Sequence, residues 1–319
     1  MLVFPLSPNA GAISPEDVPK GSVFLMGCFD GVHKGHSTLL AEAEKIAGEI
    51  CGGQRPTVVW ILESAKKASA EQGLLTTRSE KLERFAALGA DYAVIENFDD
   101  IRNFSGEEFF FGRITERFAP CAVVCGKNFR FGKGASCTSD DLKKFAESAG
   151  ILCRTVALSE NSGMPVSSTE IRSLIADGRI EDANRLLGYP YSVTAEILHG
   201  KALGRTIGCP TINQHLPAEK VMPKKGVYAC LVSFDDSGLR TYTGVCNIGF
   251  RPTVNPNEND ITVETFIIGF SGDLYGKTVK TALIGRIRDE KAFSSVDELS
   301  RQIHADTEAA EEILKRNES

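Results

Sequence analysis

The segment Gly27-Cys28-Phe29-Asp30-Gly31-Val32-His33-Lys34-Gly35-His36 decides the fold of this chain. The apolar run Val23 to Met26 predicts a strand before it, and apolar residues at helical spacing over 39–50 predict a helix after it. A glycine-rich turn between a strand and a helix brings backbone N–H groups to a place where a phosphate can bind. His33 and His36 lie at the start of that helix, close enough to contact one anion. The segment therefore predicts nucleotide phosphate chemistry, because packing alone does not require this combination.

The first half of the chain alternates strand and helix signals. Capping boxes, in which a glutamate follows Ser or Thr by three residues, mark helix starts at Thr77 and Ser105, and Thr138 with Asp141 is a looser version. Strands that alternate with helices predict a doubly wound, Rossmann-like parallel sheet, which binds ligands beyond the carboxyl ends of its strands. The strand-like runs are Val23–Met26, Thr57–Leu62, Tyr92–Ile95, Ala122–Cys125 and Ile151–Val156.

The pattern changes near Leu187. One long helix, Val296 to Lys315, follows a series of strand candidates, so residues 187–319 predict a small antiparallel β-barrel closed by a C-terminal helix. Residues 1–186 then form the α/β domain. The strand candidates of the second half are Val193–Leu198, Val227–Phe234, Thr241–Asn247, Thr262–Phe270 and Thr278–Ile287.

The composition is that of an ordinary soluble protein of 319 residues, with 42% hydrophobic and 24% charged residues. A net charge of −6 argues against a broad nucleic-acid-binding surface. We see no signal peptide and no apolar segment of membrane-spanning length, so we expect no membrane contact and a cytoplasmic location.

Nine scattered cysteines without a C-x-x-C pair predict free thiols rather than disulfides or a zinc site. The sequence carries no signal for an oligomeric state.

Two further motifs in the first half can bind nucleotide. In the segment 167–172, Ser168 and Thr169 can begin a helix whose free N–H groups meet phosphate, with Arg172 one turn later. A plain helix cap explains the same residues. In the segment 125–133, an amide at Asn128 and two phenylalanines, Phe129 and Phe131, suit a loop that contacts a nucleotide or a flavin. An exposed basic loop is the alternative.

The second half carries a glycine-rich segment, residues 200–213, and an acidic residue in an apolar strand. Glycines let the backbone approach a phosphate chain, while Thr211 and Asn213 offer oxygen ligands suited to Mg²⁺. The segment is not a Walker A loop, and a glycine-rich hairpin of the barrel is the alternative. Glu264 lies in Val263-Glu264-Thr265-Phe266, where a half-buried carboxylate can serve as a general base. A glutamate facing solvent from an amphipathic strand would give the same pattern.

These motifs, in this order, resemble the bifunctional prokaryotic riboflavin kinase/FMN adenylyltransferase family, also called FAD synthetases. The resemblance covers nearly the whole chain. It rests on G-C-F-D-G-V-H-K-G-H, L-T-T-R-S-E-K, G-K-N-F-R-F-G, S-S-T-E-I-R, G-R-T-I-G-C-P-T-I-N, G-V-Y-A, N-I-G-F-R-P-T, D-L-Y-G and I-R-D-E-K-A-F.

The resemblance implies two reactions. In the C-terminal domain the riboflavin 5′-hydroxyl attacks the γ-phosphate of ATP and gives FMN, with Thr211 and Asn213 holding Mg²⁺ and Glu264 as the base. In the N-terminal domain the FMN phosphate attacks the α-phosphate of a second ATP and gives FAD and pyrophosphate, with His33 and His36 hydrogen-bonded to the ATP phosphates. The other implied nucleotide or flavin contacts are Gly27, Phe29, Asp30, Gly31, Asn128, Ser168, Thr169, Arg172, Gly200, Gly204, Arg205, Gly208, Pro210, Asn247 and Arg288.

The chain departs from the family pattern at two segments that we expect to be loops near the adenylylation site. Residues 60–67 lack the F-x-P-H-P-like segment, and Lys133 to Thr138 replaces an arginine and a Gly-Asp step. A second hypothesis is therefore an enzyme with only riboflavin kinase activity, whose N-terminal domain binds nucleotide or flavin. A third is a flavin- or nucleotide-sensing protein without turnover. Thr211, Asn213 and Glu264 argue against the third, because sensing requires neither a metal ligand nor a base.

Overall fold

Two six-stranded sheets organise the chain, one in each of two structural units. Unit 1 comprises residues 1–70 and 76–168, and unit 2 comprises residues 71–75 and 169–319. The domain boundary predicted after residue 186 stays a prediction. The computed structural model describes residues 1–5, 17–51, 55–63, 73–157, 160–161, 164–199, 209–234, 240–250 and 261–317.

The predicted parallel sheet forms the centre of unit 1. The strands of this unit are β1 (Leu2–Pro5), β2 (Val23–Gly27), β3 (Thr57–Glu63), β4 (Tyr92–Asn97), β5 (Ala122–Gly126), β6 (Arg130–Phe131), β7 (Cys137–Thr138), β8 (Leu152–Val156), β9 (Glu160–Asn161) and β10 (Met164–Pro165). The large sheet has the order β1-β4-β3-β2-β5-β8, and all its neighbours run parallel. The remaining strands form the short antiparallel pairs β6–β7 and β9–β10.

Helices cover both faces of this sheet. They are α1 (Lys34–Cys51), α2 (Arg78–Ala87), α3 (Phe98–Ile101), a π-helix (Glu108–Thr115), α4 (Glu116–Phe118), a 3₁₀ turn (Lys133–Ala135) and α5 (Ser139–Ser148). The three predicted capping boxes are confirmed, because Thr77, Ser105 and Thr138 each exchange hydrogen bonds with the carboxylate residue three positions later. The helical turn after Ser105 continues as a π-helix, a geometry that no sequence signal indicated.

The alternation of β2 divides the core of unit 1 between two layers. Val23 and Leu25 pack on one face of the sheet with α1 residues, including Leu39. Phe24 and Met26 pack on the other face with Trp60 and with the π-helix. Because successive side chains of a strand point to opposite faces, one apolar strand supplies both layers. The strand thereby fixes where its carboxyl end, and the segment Gly27–His36, must lie.

The predicted antiparallel barrel with a C-terminal helix forms unit 2. Its strand order is β11-β16-β13-β14-β15-β12, and every neighbouring pair runs antiparallel. The last helix packs on β13, β14 and β16, where its Ala310 joins a cluster with Val227, Ala229 and Val245. The elements are α6 (Ser168–Ala176, which begins at the last residue of unit 1), α7 (Ile180–Leu187), β11 (Ser192–Glu196), β12 (Thr211–His215), β13 (Gly226–Ser233), β14 (Tyr242–Phe250), β15 (Ile261–Ile267), β16 (Thr278–Arg288) and α8 (Val296–Asn317).

A buried glutamine joins the two edges of this sheet. Gln214 of β12 is 1% exposed. Its Nε2 atom donates to the carbonyl oxygens of Ala195 (3.1 Å) and Val279 (2.6 Å), and its Oε1 accepts from the Thr281 hydroxyl (2.7 Å). The side chain of Gln214 thus links β12 to the paired strands β11 and β16.

The structure refines several predictions of local structure. The predicted strand Thr57–Leu62 is confirmed as β3, so the departure from the family pattern, expected in a loop, begins inside a strand whose Trp60 is buried in the core. Thr211 to Asn213, assigned to a glycine-rich segment, belong to β12, and the strand β1 had no prediction. The few residues of β1 show too little alternation to be distinguished from a tail.

The eight cysteines whose side chains the structure describes are free, as predicted. Within the described ranges, no helix is long and apolar enough to cross a bilayer.

We expect the substitution Gln214→Leu to lower the free energy of unfolding of unit 2 by about 2–4 kcal/mol, because it removes three buried hydrogen bonds and takes away the acceptor of the Thr281 hydroxyl. Urea unfolding followed by circular dichroism measures this loss. The control is Glu196→Gln on the exposed end of β11, which should change stability by less than about 0.5 kcal/mol. An equal effect of both substitutions would contradict the role assigned to Gln214.

Candidate functional sites

The turn after β2 has a strained backbone. Phe29 (φ 52°) and Val32 (φ 36°) are non-glycine residues with positive φ, and Gly31 between them has φ 84°. A β-branched residue in this region is a true outlier, and such strain persists only where the surroundings impose it, commonly at functional sites. The packing around Phe29 is one part of those surroundings.

The ring of Phe29 anchors the turn in the core. It is 1% exposed and makes edge contacts with the rings of Phe85 and His36, each at 5.2 Å between centroids. A Cβ atom on residue 27 would lie 2.8 Å from the Phe29 ring, so only glycine fits there. Gly27 therefore contributes through packing in this structure, and its predicted ligand contact stays a prediction.

Three hydrogen bonds connect the turn to the residues at the start of α2. The N–H of Gly31 donates to the Thr76 hydroxyl (3.2 Å), and the N–H of Thr76 donates to Asp30 Oδ1 (3.4 Å). The ammonium group of Lys81 donates to the carbonyl of Cys28 (3.3 Å). Asp30 and Gly31, predicted as nucleotide contacts, thus also hold the turn. The segment around Thr76 and Lys81 contributed to the family resemblance but had no predicted role of its own.

His33 and His36 form a stacked pair at the start of α1. Their ring centroids are 3.8 Å apart with the planes 23° from parallel, and His33 is 2% exposed. Burial lowers the pKa of His33 to about 4. Burial, with the charges of His33 and Lys81, also lowers the pKa of His36 well below its usual value. In both rings the buried Nδ1 atom has no hydrogen-bond partner within the described residues. Buried polar atoms normally have a partner, so the pair is suited to a ligand that supplies one.

The predicted residues of α6 divide between the two units. The hydroxyl of Ser168 donates to the carbonyl of Asp30 (2.9 Å), which joins the start of α6 to the strained turn. Thr169 is exposed, and Arg172 donates from Nε to the carbonyl of Gly73 (2.9 Å). The structure therefore brings Ser168 together with the turn, while the nucleotide contacts of Thr169 and Arg172 stay predictions.

The loop after β5 presents one accessible ring. Phe129 and Phe131 stack at 5.7 Å between centroids, but Phe131 is 6% exposed and packs on Phe109 in the core. Phe129 is half-buried and Asn128 is exposed. Of the two rings, Phe129 is thus the one that a planar ligand can reach, and the ligand contact of Asn128 stays a prediction.

In unit 2 the strand register places Glu264 between two asparagines. Asn213 of β12 and Asn247 of β14 are both directly opposite Glu264 of β15, one on each side. Directly paired residues share a face, and Thr211, two residues before Asn213, shares it too. All four are half-buried, while their strand neighbours Gln214, Thr265 and Cys246 point into the barrel. The set therefore lies on the outer face of the barrel.

The helix α8 is clamped to the same outer face. Arg288 of β16 donates from Nε (2.8 Å) and Nη2 (2.7 Å) to the carboxylate of Asp306, which is 3% exposed. Asn247 donates to Glu290 Oε1 (3.2 Å). The guanidinium of Arg288 thus has a structural partner, and its predicted ligand contact stays a prediction. Sequence reasoning missed Glu290 and Asp306, because their partners are distant in the chain.

A cavity of about 320 Å³ adjoins Thr211. Pro210 and Thr211 line it, together with Leu274 and Tyr275 of the D-L-Y-G motif. The Tyr275 ring stacks on His199 at 3.9 Å. Four other predicted contacts, Gly200, Gly204, Arg205 and Gly208, lie outside the described residues. The predicted metal ligand Thr211 is therefore at the edge of a pocket large enough for a small organic group.

Both halves of the chain match known families. Residues 187–314 match the riboflavin kinase family, and residues 16–170 match the FAD synthetase family. The solved structure of a Streptococcus pneumoniae protein described as a macrolide-efflux protein superposes with a TM-score of 0.84 at 29% identity, over 98% of this chain and 99% of that one.

Curated relatives match over nearly the full length. The bifunctional riboflavin kinase/FMN adenylyltransferase of Escherichia coli K12 is 34% identical over 307 residues, which are 92% of this chain and 93% of that protein. The protein of the same description from Bacillus subtilis 168 is 32% identical over 301 residues, 91% of each chain. On these matches the chain belongs to the bifunctional riboflavin kinase/FMN adenylyltransferase family.

Proposed function

We propose that this protein converts riboflavin to FMN in unit 2 and FMN to FAD in unit 1, with one ATP consumed in each reaction. The proposal rests on the presence, in one chain, of two sets of side chains suited to these two reactions. Unit 1 has the uncharged histidine pair with its two buried Nδ1 atoms, and unit 2 has Glu264 between Asn213 and Asn247. Each set stands in the half of the chain that matches the corresponding family.

In the kinase reaction, Glu264 takes the proton of the riboflavin 5′-hydroxyl as its oxygen attacks the γ-phosphorus of ATP. ADP leaves and FMN forms. Phosphoryl transfer depends mainly on positioning and charge stabilisation, so the two asparagines that flank Glu264 hold the reacting groups beside the base. The cavity beside Thr211, with Tyr275 in its wall, takes the nucleoside end of ATP.

The residues on this face fit a magnesium ion. Thr211 and Asn213 offer a hydroxyl and an amide oxygen from one face of β12, and Glu264 lies beside Asn213. Mg²⁺ prefers such oxygen donors and commonly takes few ligands from the protein, with phosphates and water completing its shell. Thr211 and Asn213 would hold the ion, which when bound neutralises charge on the phosphate chain.

In the adenylylation, a phosphate oxygen of FMN attacks the α-phosphorus of ATP and pyrophosphate leaves. His33 and His36 hydrogen-bond the ATP phosphates as negative charge builds on them. The N–H groups at the start of α1 add a partial positive charge at the same place. The reaction requires no covalent bond to the enzyme. The ring of Phe129 packs on the flavin, and Asn128 binds nucleotide.

The same proposal covers location, partners and domain boundary. ATP and flavins are soluble small molecules, and the eight described free thiols suit a reducing cytoplasm. A net charge of −6 gives no broad attraction to nucleic acid. We place the boundary between the two catalytic domains after residue 186, supported by the match to the riboflavin kinase family from residue 187.

Riboflavin kinase activity alone is the second candidate. The absence of the P-H-P-like segment favours it. At the end of β3, Glu63 instead accepts a hydrogen bond from Arg78 Nε at 2.9 Å. Incubation of the purified protein with riboflavin, ATP and Mg²⁺, followed by chromatography of the flavins, separates the two candidates. FAD supports the bifunctional enzyme, FMN alone supports the kinase, and neither product contradicts both.

We expect Glu264→Gln to lower the rate of FMN formation by about a hundred-fold or more, because the substitution removes the general base. FAD formation from supplied FMN should stay at the level of the unmodified enzyme. The matched control is Glu196→Gln on the exposed end of β11, which should leave both rates unchanged. If Glu264→Gln lowered both rates together in a folded protein, Glu264 would not be the kinase base.

We expect His36→Ala to lower FAD formation by about ten-fold or more while FMN formation continues, because the ATP phosphates lose a hydrogen-bond partner. The two products of one incubation give both rates. His304→Ala on the exposed face of α8 is the control. An unchanged FAD yield in His36→Ala would remove the histidine pair from the mechanism.

We expect the stability of unit 1 without nucleotide to fall by about 3 kcal/mol as the pH falls from 6.5 to about 4. The unfolded state protonates His33 near pH 6.5, whereas the folded state binds that proton only near pH 4, so acid favours unfolding. Thermal unfolding across this pH range measures the slope. His33→Asn should reduce it, and bound ATP should also reduce it, because phosphate raises the pKa in the folded state. A slope that neither change affects would contradict this assignment.

A further inference from the structure

The segment Thr76–Lys81 has no role in the proposed reactions, yet Thr76 and Lys81 form hydrogen bonds with the turn that precedes α1. We propose that Lys81 is a positioning residue for FMN adenylylation: its buried ammonium group donates a hydrogen bond to the carbonyl of Cys28, which fixes the turn, and places a positive charge beside the His33–His36 pair. This proposal rests on the function proposed for unit 1.

The position of Lys81 is rigid. The capping box between Thr77 and Glu80 starts α2, and Lys81 follows in its first turn. The residue is 5% exposed, and its Nζ donates to the carbonyl of Cys28 at 3.3 Å. An ammonium group is buried only at a high cost unless polar partners compensate it. A lysine in this place, rather than an apolar residue, therefore indicates that the site uses its charge.

The charges around Lys81 belong to the same site. Burial lowers its pKa, and the carboxylates of Asp30 and Glu63 are the main opposing influence. The Cys28 thiol acts in the same direction as the carboxylates, and Arg78 acts in the opposite one. The positive charge of Lys81 in turn lowers the pKa of His36. Lys81 thus interacts electrostatically with both the turn and the histidine pair.

This arrangement suits a site that binds a polyanion. One cation beside two uncharged histidines offers a partner to a phosphate without the mutual repulsion of three neighbouring cations. When a triphosphate enters, Lys81 already stands behind the turn, so no reorganisation of the protein is needed. The Thr76 hydroxyl, which accepts a hydrogen bond from the Gly31 N–H, supports the same turn without charge. The two contributions can therefore be separated by mutation.

The test compares four variants of the full chain. Lys81→Met removes the charge at similar length, and Lys81→Arg keeps it. Thr76→Val removes the hydroxyl oxygen that accepts from the Gly31 N–H but leaves the charge of Lys81 unchanged. Lys45→Met on the exposed face of α1 is the matched control for the loss of a lysine. For each variant we would measure FAD formation from supplied FMN, FMN formation as an internal control, and the histidine titration of the nucleotide-free protein by NMR.

We expect Lys81→Met to lower FAD formation by about ten-fold to a hundred-fold, because even a small displacement of groups that position a substrate can cost about a hundred-fold in rate. The titration of His36 should move to higher pH, because a neighbouring positive charge is gone. Lys81→Arg should recover most of the activity and the original titration. Thr76→Val should lower FAD formation without moving the titration, and Lys45→Met should change neither.

Three results would overturn the proposal. The first is FAD formation in Lys81→Met within about two-fold of the unmodified enzyme. The second is a loss of activity with an unmoved histidine titration, which a purely structural role would give. The third is a Lys81→Arg variant as inactive as Lys81→Met in a protein with native circular dichroism. If Lys81→Met does not fold, Lys81→Arg and Thr76→Val decide the question by the same readouts. Absence of FAD formation in the unmodified enzyme would instead reject the proposed function.

Discussion

The left-handed backbone of the turn at Phe29 and Val32 is the constraint on which the first site depends. Residues with a Cβ avoid this conformation, so the chain adopts it only because tertiary contacts impose it. The Phe29 ring is fixed in the core, and Ser168, Thr76 and Lys81 hold the backbone on either side. These contacts come from segments far apart in sequence. These contacts therefore fix the start of α1, where we propose that phosphate binds.

The second site depends on strand register instead of backbone strain. Glu264 lies between Asn213 and Asn247 because β12, β15 and β14 pair without a shift at these positions. A slip of one residue would turn Glu264 into the barrel and Val263 or Thr265 outward. Gln214 on the inner face of β12 opposes such a slip, since the slip would break its hydrogen bonds to the carbonyls of Ala195 and Val279. The interior of the barrel thus determines which residues its outer face presents.

The sequence was sufficient to predict most of this fold, because the relevant signals are local. Runs such as Val23–Met26 are apolar on both faces, and the capping box at Thr77 marks the start of α2. The predictions failed where the decisive contact is distant. The strand β12 contains polar residues, and its pairing with β15 across about fifty positions gives no local pattern. The π-helix after Ser105 shares the apolar spacing of an ordinary helix.

The site residues show the same limit. Resemblance pointed to His33, His36 and Glu264, but nothing local distinguishes Arg288 as a ligand contact from Arg288 as the partner of Asp306. Nor could spacing reveal that Lys81 reaches the carbonyl of Cys28.

The two sites meet a similar electrostatic demand by different means. Unit 1 buries its histidines, which lowers their pKa and leaves them uncharged. Positive charge therefore comes from nearby Lys81 and from the backbone N–H groups at the start of α1. Unit 2 presents hydroxyl, amide and carboxylate oxygens on a half-buried barrel face, a set that attracts cations rather than anions. A triphosphate can approach that face only together with a counter-charge. The difference follows from the folds: a parallel sheet collects helix starts at one edge, whereas an antiparallel barrel offers only side chains.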